Sequence, residues 1–199
     1  MDVERVLRLA RISLRLGEVE RVPTHPDGRR ETDTTHTVML ALLAAEAADE
    51  LGLDVGRAVL FALVHDLVEV YAGDTDTSQG LSGDERALKR AREHAAAQRL
   101  DRELPGSVLV RALADYEDRQ EDEARLVHLL DKMCPKAVSI VGIEDGGHPR
   151  TAASYPRAIQ QALELAQECP GPFWAPLHEL ASGLRLRLFD AAEVPDVQR

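Results

Sequence analysis

The sequence predicts an all-α fold in a single domain, on the basis of its size, its composition and the spacing of its apolar residues. The chain has 199 residues, of which 44% are hydrophobic, and this is enough for one domain with a substantial core. Only 4% of the residues are aromatic, so the core must be built mainly from Leu, Ala and Val, which suits packed helices better than sheets. Apolar residues recur with a period of 3.6 in nearly every long segment, and the alternation of a half-buried strand is absent.

Breakers and capping signals divide the chain into successive helices. Residues 18–33 form a polar loop with Pro23, Pro26 and Gly28, and Ser82 with Glu85 forms a capping box. The first predicted helix ends near Gly17, the second spans about 35–51, and the third runs from the N-cap Asp54 to before Gly73. Further helices are predicted over about 83–102, 106–117, 121–142, 154–168 and 173–189. We expect one domain over residues 1–190 and a frayed tail over 191–199.

The net charge and the N-terminal sequence limit the kinds of partner and the location that we expect for this chain. The formal net charge is −11, from 35 acidic and 24 basic residues, so an extended face for DNA or RNA is not expected. A small phosphorylated substrate is compatible with this charge if a metal or a local Arg supplies positive charge. The N-terminus lacks a signal-peptide core, no stretch approaches a membrane span, and Cys134 and Cys169 form no C-x-x-C motif. A soluble, cytoplasmic protein with reduced thiols is expected.

A His-Asp doublet lies inside the apolar run FALVHDLVEV, residues 61–70. On a helix, Glu69 would share a face with His65 and Asp66, because residues three and four apart are neighbours. Burying three ionisable groups without partners costs several kcal/mol, roughly, and a divalent cation would compensate them. The doublet alone is equally compatible with a core histidine that is hydrogen-bonded to a carboxylate, with Glu69 reaching water.

Three more residues favour a metal site by their order in the chain. Asp74 follows Gly73, which allows the backbone to fold back towards the doublet. His36 lies near the first turn of an apolar helix, and Asp131 is set in the apolar stripe of VHLLDKM. Taken singly, each residue has an ordinary explanation: Asp74 as a turn residue, His36 as a surface or capping histidine, and Asp131 as an acid paired with a positive charge.

The order His, His-Asp, Asp resembles that of the HD-domain metal phosphohydrolases, and the resemblance covers roughly residues 4–145. The matching blocks are Arg21-Val22-Pro23, residues 31–36, LVHDLVEVYAGD at 63–74 and DYEDRQEDEARLVHLLDKM at 115–133. These blocks are similar to the 5′-deoxynucleotidase branch of YfbR-type enzymes and their eukaryotic HD-domain relatives. The resemblance implies that one divalent metal, Co²⁺, Mn²⁺, Zn²⁺ or Fe²⁺, is held by His36, His65, Asp66 and Asp131.

The resemblance also implies catalytic and substrate-binding roles. Glu69 and Asp74 would flank the attacking water and the leaving group, and Arg21 would contact the substrate phosphate. Val22 stands where the bacterial enzymes are expected to carry Trp as a base- or sugar-packing wall, so this departure leaves the base preference open. The expected reaction is the metal-dependent hydrolysis of a deoxynucleoside monophosphate by a homo-oligomeric enzyme that has no nucleic-acid or membrane partner.

Other readings within and outside this class stay open. Residues 23–36 and 63–75 are also similar to phage dATP triphosphohydrolases, in which Arg29 and Arg30 would serve the additional phosphates. The simpler reading, which the sequence favours, is that the same arginines are a solvated loop pair. A non-catalytic HD module that binds a nucleotide or a partner protein is the alternative from another class. A cyclic-nucleotide phosphodiesterase is disfavoured because the chain is short and its candidate ligands suffice for only one metal ion.

Overall fold

The computed structural model describes residues 2–25, 27–76, 80–144 and 174–192, and helices dominate this part of the chain. The predicted all-α class is therefore confirmed. The helices are α1 Val3–Leu16, α2 Asp33–Leu51, α3 Val55–Val64, α4 Glu69–Ala72, α5 Gly83–Glu103, α6 Val108–Asp118, α7 Asp122–Glu144 and α8 Ala175–Ala192. The helix predicted at 154–168, Cys169 and the tail from residue 193 lie outside the described ranges.

The loop predicted over residues 18–33 contains a small two-stranded sheet, which the sequence pattern did not predict. Its strands are β1, Glu20–Thr24, and β2, Arg30–Thr32. The His25 amide donates to the Arg29 carbonyl at 2.8 Å, and the Gly28 amide donates to the His25 carbonyl at 2.9 Å. Gly28 has a φ of 83°, a conformation that glycine adopts without steric cost. Gly28 therefore lies in the turn of a hairpin, Pro23 lies within β1, and both strands are too short to show an alternating pattern.

Side-chain caps hold the helices that carry the doublet and its neighbours. The Thr32 hydroxyl accepts from the Thr35 amide, while the Thr35 hydroxyl accepts from the Thr32 amide at 3.0 Å, so α2 begins with a reciprocal capping box. Asp54 accepts from the Arg57 amide at 2.9 Å and starts α3 as predicted. The capping box predicted at the start of α5 is also present, between Ser82 and Glu85.

The long helix predicted from Asp54 to before Gly73 is wrong, because α3 ends at Val64 and α4 starts at Glu69. Between them the Leu67 amide donates to the Val64 carbonyl and the Glu69 amide to the Asp66 carbonyl, so the turn is tighter than an α-helix. The His65 ring nitrogen Nδ1 lies 2.8 Å from the Ala62 carbonyl, which a continuous helix would use for the Asp66 amide. The doublet therefore ends one helix and Glu69 begins the next.

The described chain divides into two compact units, and the first comprises residues 1–21 and 32–127. In this unit α2 packs against α3, α3 against α6, and α4 against α5. A buried apolar cluster lies in the first unit and comprises Ile12, Val64, Leu67, Leu100, Leu104, Ala112 and Leu113. This cluster includes Val64 and Leu67, the apolar residues on either side of the doublet, and so anchors the turn that carries His65 and Asp66.

The second unit comprises residues 22–31 and 128–199. Its buried side chains include Leu129, Leu130, Met133, Trp174 and Leu177. Across the described ranges, no helix combines the length and the apolar character that a membrane span needs. The extent of a single domain over residues 1–190 stays a prediction, and α8 continues through residue 192, two residues into the segment predicted as a frayed tail.

Candidate metal centre

Three of the predicted ligands come together in the first unit. The capping box at the start of α2 places His36 in the helix's first turns, where its side chain is fully buried. The end of α3 places His65, which is 3% exposed, beside Asp66. The ligand atoms of these three residues all lie within 4.8 Å of one another, and the two imidazole rings are 5.2 Å apart between centroids. The three residues His36, His65 and Asp66, which are predicted as ligands, therefore lie close together in a largely buried group.

The environment of His65 sets which of its ring nitrogens faces the candidate ligand group. A carbonyl oxygen only accepts, so Nδ1 donates its proton to the Ala62 carbonyl at 2.8 Å. In the neutral ring this leaves the lone pair on Nε2, which lies 2.8 Å from Asp66 Oδ2. Two ligand atoms that bind one cation at about 2.1 Å stand about 3 Å apart. The spacing and the tautomer of His65 thus fit a shared divalent cation, with Ala62 orienting the ligand.

Asp131, which the resemblance implies as the fourth ligand, belongs to the second unit. It lies on α7 and is only 5% exposed, although Leu129, Leu130 and Met133 around it are almost completely buried. Lys132 Nζ donates to its Oδ2. An aspartate buried in this apolar stripe requires compensating positive charge, as the sequence predicted.

A second cluster of charges adjoins the three ligands of the first unit. Arg21 Nη1 lies 2.7 Å from Asp66 Oδ2 and 3.0 Å from Asp33 Oδ1. Carboxylate oxygens of Asp33, Asp66 and Glu69 lie within 4.8 Å of one another. Asp74 is near enough for its charge to act on Glu69. Four carboxylates therefore gather around one guanidinium, and we call these five residues the carboxylate cluster.

The carboxylate cluster carries more negative charge than its arginine balances, and the pKa values show it. Burial, followed by the charges of Asp66, Asp33 and Asp74, raises the pKa of Glu69 to about 10. Burial also raises the pKa of Asp74, and it raises that of Asp33 in spite of the hydrogen bond from Arg21. A divalent cation on Asp66 would offset this excess. Because the donors are imidazoles and carboxylates, the residues present fit a borderline divalent metal.

Sequence reasoning missed two residues beside the ligands. Asp33 is fully buried and lies three residues before His36, so the helical spacing could have placed it on the same face. An aspartate in the first turn of a helix is also ordinary, because it interacts favourably with the helix dipole. Tyr116 lies within the block at 115–133, and its ring stands edge-on to that of His65 at 6.2 Å between centroids. Nothing in the spacing distinguishes Tyr116 from a core aromatic residue.

The predicted substrate contacts occupy different surroundings. The Arg21 side chain is 13% exposed and lies in the carboxylate cluster. Val22, in the second unit, is half-buried on β1. Arg29, which could serve additional phosphates, is 81% exposed and pairs with Asp27 at 2.6 Å. The roles assigned to these residues stay predictions.

Comparisons with known proteins agree with this geometry. A family model described as "HD domain" matches residues 14–162. The chain is 31% identical to the 5′-deoxynucleotidase HDDC2 of Bos taurus and 30% identical to that of Homo sapiens, in each case over 172 residues that cover 77% of this chain and 82% of the relative. A crystal structure of a predicted metal-dependent phosphohydrolase from Magnetospirillum magnetotacticum matches with a TM-score of 0.72 and 26% identity, covering 94% of this chain and 92% of that one. The resemblance predicted from the sequence is confirmed, and the chain belongs to the HD-domain family.

Proposed function

We propose that this chain is a divalent-metal-dependent phosphohydrolase that releases inorganic phosphate from deoxynucleoside 5′-monophosphates. The observation that carries the proposal is the buried group of two imidazoles and a carboxylate directly beside a guanidinium. This arrangement supports a cation site next to a side chain suited to phosphate. Its similarity to the two 5′-deoxynucleotidases supports deoxynucleotides as the substrate class.

In this proposal His36, His65, Asp66 and Asp131 hold one divalent cation, and Co²⁺, Mn²⁺, Zn²⁺ and Fe²⁺ suit the donor set. When bound, the cation supplies Lewis-acid stabilisation of the charge that develops on the phosphoryl oxygens. The ligand histidines must be neutral, so activity should fall in acid as they take up protons.

The remaining chemistry falls to the side chains of the carboxylate cluster. Water attacks phosphorus, the bond between phosphorus and the 5′ oxygen breaks, and a proton passes to the leaving oxygen, which yields a deoxynucleoside and inorganic phosphate. The resemblance assigns proton transfer to Glu69 and Asp74, and burial raises the pKa of both carboxyl groups. One would take the proton of the attacking water and the other would supply the proton of the leaving oxygen. Arg21 would orient the phosphate.

The test is to incubate protein loaded with Mn²⁺, Co²⁺ or Zn²⁺ separately with dAMP, dATP and cyclic AMP, and to identify the products. Release of inorganic phosphate from dAMP, lost after chelation and restored by metal, is the expected result. Triphosphate released from dATP would replace the monophosphatase by a triphosphohydrolase, and opening of cyclic AMP would make the enzyme a phosphodiesterase. Binding of dAMP without turnover of any nucleotide would leave a non-catalytic nucleotide-binding module.

The proposal includes self-association, which the resemblance implies. Apolar side chains on α1 and α2 are exposed in the single chain, among them Val3, Leu14 and Leu42, each more than 60% exposed. Surfaces of this kind are often covered by a partner subunit. Light scattering coupled to size-exclusion chromatography should give a mass at least twice the 21.9 kDa of one chain, and a monomer mass at enzyme concentrations used for assays would remove this part of the proposal.

A further inference from the structure

We propose that Asp33 is a positioning residue that keeps the Arg21 guanidinium in place for the substrate phosphate when the metal is bound. The inference rests on the proposed phosphohydrolase function, and it concerns a residue outside the group of His36, His65, Asp66 and Asp131. Its role would be to act through Arg21, without touching either substrate or metal.

The geometry places Asp33 as a fixed acceptor for Arg21. Asp33 is the first residue of α2, next to the capping box that fixes the start of that helix, and its side chain is completely buried. Its Oδ1 lies 3.0 Å from Arg21 Nη1. The Arg21 side chain comes from β1 and is 13% exposed. A short side chain on a capped helix start has little freedom, so the contact restricts the longer and more flexible arginine.

The same arginine nitrogen also contacts Asp66, and this contact should weaken when a metal binds. Arg21 Nη1 is 2.7 Å from Asp66 Oδ2, and that same oxygen lies 2.8 Å from His65 Nε2. A carboxylate oxygen that ligates a divalent cation shares its negative charge with it and attracts a neighbouring guanidinium less. The two carboxylates around Arg21 would then divide their tasks, Asp66 serving the metal and Asp33 serving the arginine.

A negative acceptor is needed at this place because the anchored group must remain oriented beside a repelling cation. Arg21 next to a divalent metal experiences like-charge repulsion, and the Asp33 charge opposes that repulsion. A guanidinium has five donors in a planar fork, and the bond from Nη1 to Asp33 uses one of them. Asp33 therefore fits an anchor that holds the arginine while leaving it competent to bind an anion.

The acidic group of Asp33, Asp66 and Glu69 also has the spacing of a cation site, and this provides the competing explanation. The Arg21 guanidinium already contacts two of these three carboxylates, so a second divalent ion there would have to displace it. Metal content separates the two readings. An anchor for Arg21 predicts that replacing Asp33 leaves the metal content unchanged, whereas a second cation site predicts that it falls.

The experiment compares Asp33→Asn, Arg21→Ala and the double variant, with Asp49→Asn as the matched control at an exposed position of the same helix. Three quantities are measured on metal-loaded protein: the metal content, the affinity for inorganic phosphate by calorimetry, and kcat and KM for dAMP. Each single variant should weaken phosphate binding and lower kcat/KM by about 10- to 100-fold. The double variant should lose no more than Arg21→Ala alone, because residues that act as one unit are not additive. Asp49→Asn should match the wild type.

Chemical rescue adds a readout that a merely structural role would not move. Free guanidinium added to Arg21→Ala should restore part of the phosphate affinity, because Asp33 would still be present to hold it. The same addition should restore nothing in the double variant. Multiplied losses in the double variant, rescue that is independent of Asp33, or reduced metal content in Asp33→Asn would each overturn the proposal. Should Asp33→Asn not fold, Asp33→Glu keeps the charge but shifts the acceptor, and full phosphate affinity in that variant would equally contradict a positioning role.

The failure of this inference can be told apart from the failure of the proposed function. Wild-type protein that turns over no nucleotide contradicts the function, while the phosphate affinities and the rescue still decide whether Asp33 acts through Arg21. Conversely, an active enzyme in which Asp33→Asn behaves like the Asp49→Asn control keeps its function and loses the proposed anchor.

Discussion

Two arginines in the first unit each bind two carboxylates, and their surroundings make them different in kind. Arg21 contacts Asp33 and Asp66 with side chains that are 13%, 0% and 21% exposed. Arg57 contacts Asp115 and Glu121 on the surface, where those carboxylates are 50% and 41% exposed, and its guanidinium also lies 4.3 Å from the centre of the Phe61 ring. The number of hydrogen-bonding partners is similar, but the degree of burial is not.

The carboxylates respond in opposite directions to these surroundings. The hydrogen bond from Arg57 lowers the pKa of Glu121, as is typical of an exposed acid with a satisfied charge. Near Arg21, burial and the neighbouring carboxylates raise the pKa of Glu69 to about 10. The surface group pairs one arginine with two carboxylates that water solvates, whereas the buried group gathers four carboxylates around one arginine largely away from water. Arg57 with its two carboxylates links elements at the surface, whereas Arg21 with its two carboxylates is part of an anionic site. The excess of buried negative charge around Arg21 makes the difference.

The largest effect should follow from removing a ligand at the buried group. His65→Ala removes a nitrogen donor and should abolish stoichiometric metal binding. Turnover of dAMP should then fall by more than about 10³-fold, since even the loss of a single stabilising donor costs about 10²–10³. His94→Ala is the control, because His94 is exposed on α5. Metal analysis and single-turnover assays test the prediction, and full metal content in His65→Ala would remove this histidine from the ligand set.

The next effect distinguishes an acid that carries protons from an acid that holds the metal. Glu69→Gln should lower kcat by about 10²–10⁴-fold, the usual range for a general acid or base, and should leave metal content unchanged. The exposed Glu46 on α2 offers a matched control in Glu46→Gln. Measured metal and kcat decide the outcome, and unchanged turnover would exclude Glu69 from proton transfer.

The two groups should also respond oppositely to pH in metal-free protein. The folded-state pKa of Glu69 is about 10 against an ordinary 4.5, so between these values the folded state binds more protons than the unfolded one, and the free energy of unfolding falls as pH rises. The lowered pKa of Glu121 contributes stability above its ordinary value of 4.5 that is lost as pH falls through its folded pKa. The free energy of unfolding of metal-free protein should be measured by denaturation between about pH 4 and 9. Its fall with rising pH should be smaller in Glu69→Gln than in the wild type and unchanged in Glu121→Gln. An identical slope in all three proteins would contradict the buried charge excess.

The smallest effect belongs to the surface group. Arg57→Ala should lower the free energy of unfolding by about 1 kcal/mol, since exposed ion pairs and a cation–π contact each contribute 1 kcal/mol or less, roughly. The kcat for dAMP should remain that of the wild type, because Arg57 belongs to the surface group and to neither the ligand set nor the carboxylate cluster. Urea denaturation and steady-state assays test both parts. A marked loss of activity in this variant would end the distinction between the two arginines.

Helical spacing and capping residues were sufficient to predict most helices, since these signals are local in the chain. The capping box of Ser82 and Glu85 and the N-cap Asp54 act within a few residues, so their effect can be read directly from the letters. The break after Val64 could not be read, because it involves a hydrogen bond from the His65 ring to the Ala62 carbonyl that competes with an otherwise good helical pattern. The hairpin at residues 20–32 was missed because its strands are only five and three residues long.

By itself, the sequence determined the all-α class and the family, and it singled out His36, His65, Asp66 and Asp131 as candidate ligands. It could do so because ligand types in a specific order survive as a linear pattern. Only the tertiary structure decided that Asp33 lies against Arg21 and that Glu69 reaches Asp66 from the start of a separate helix. The first contact joins residues 12 positions apart, and the second depends on a break in a helix. The free energy that sets them comes from burying charges together, and no local pattern records it.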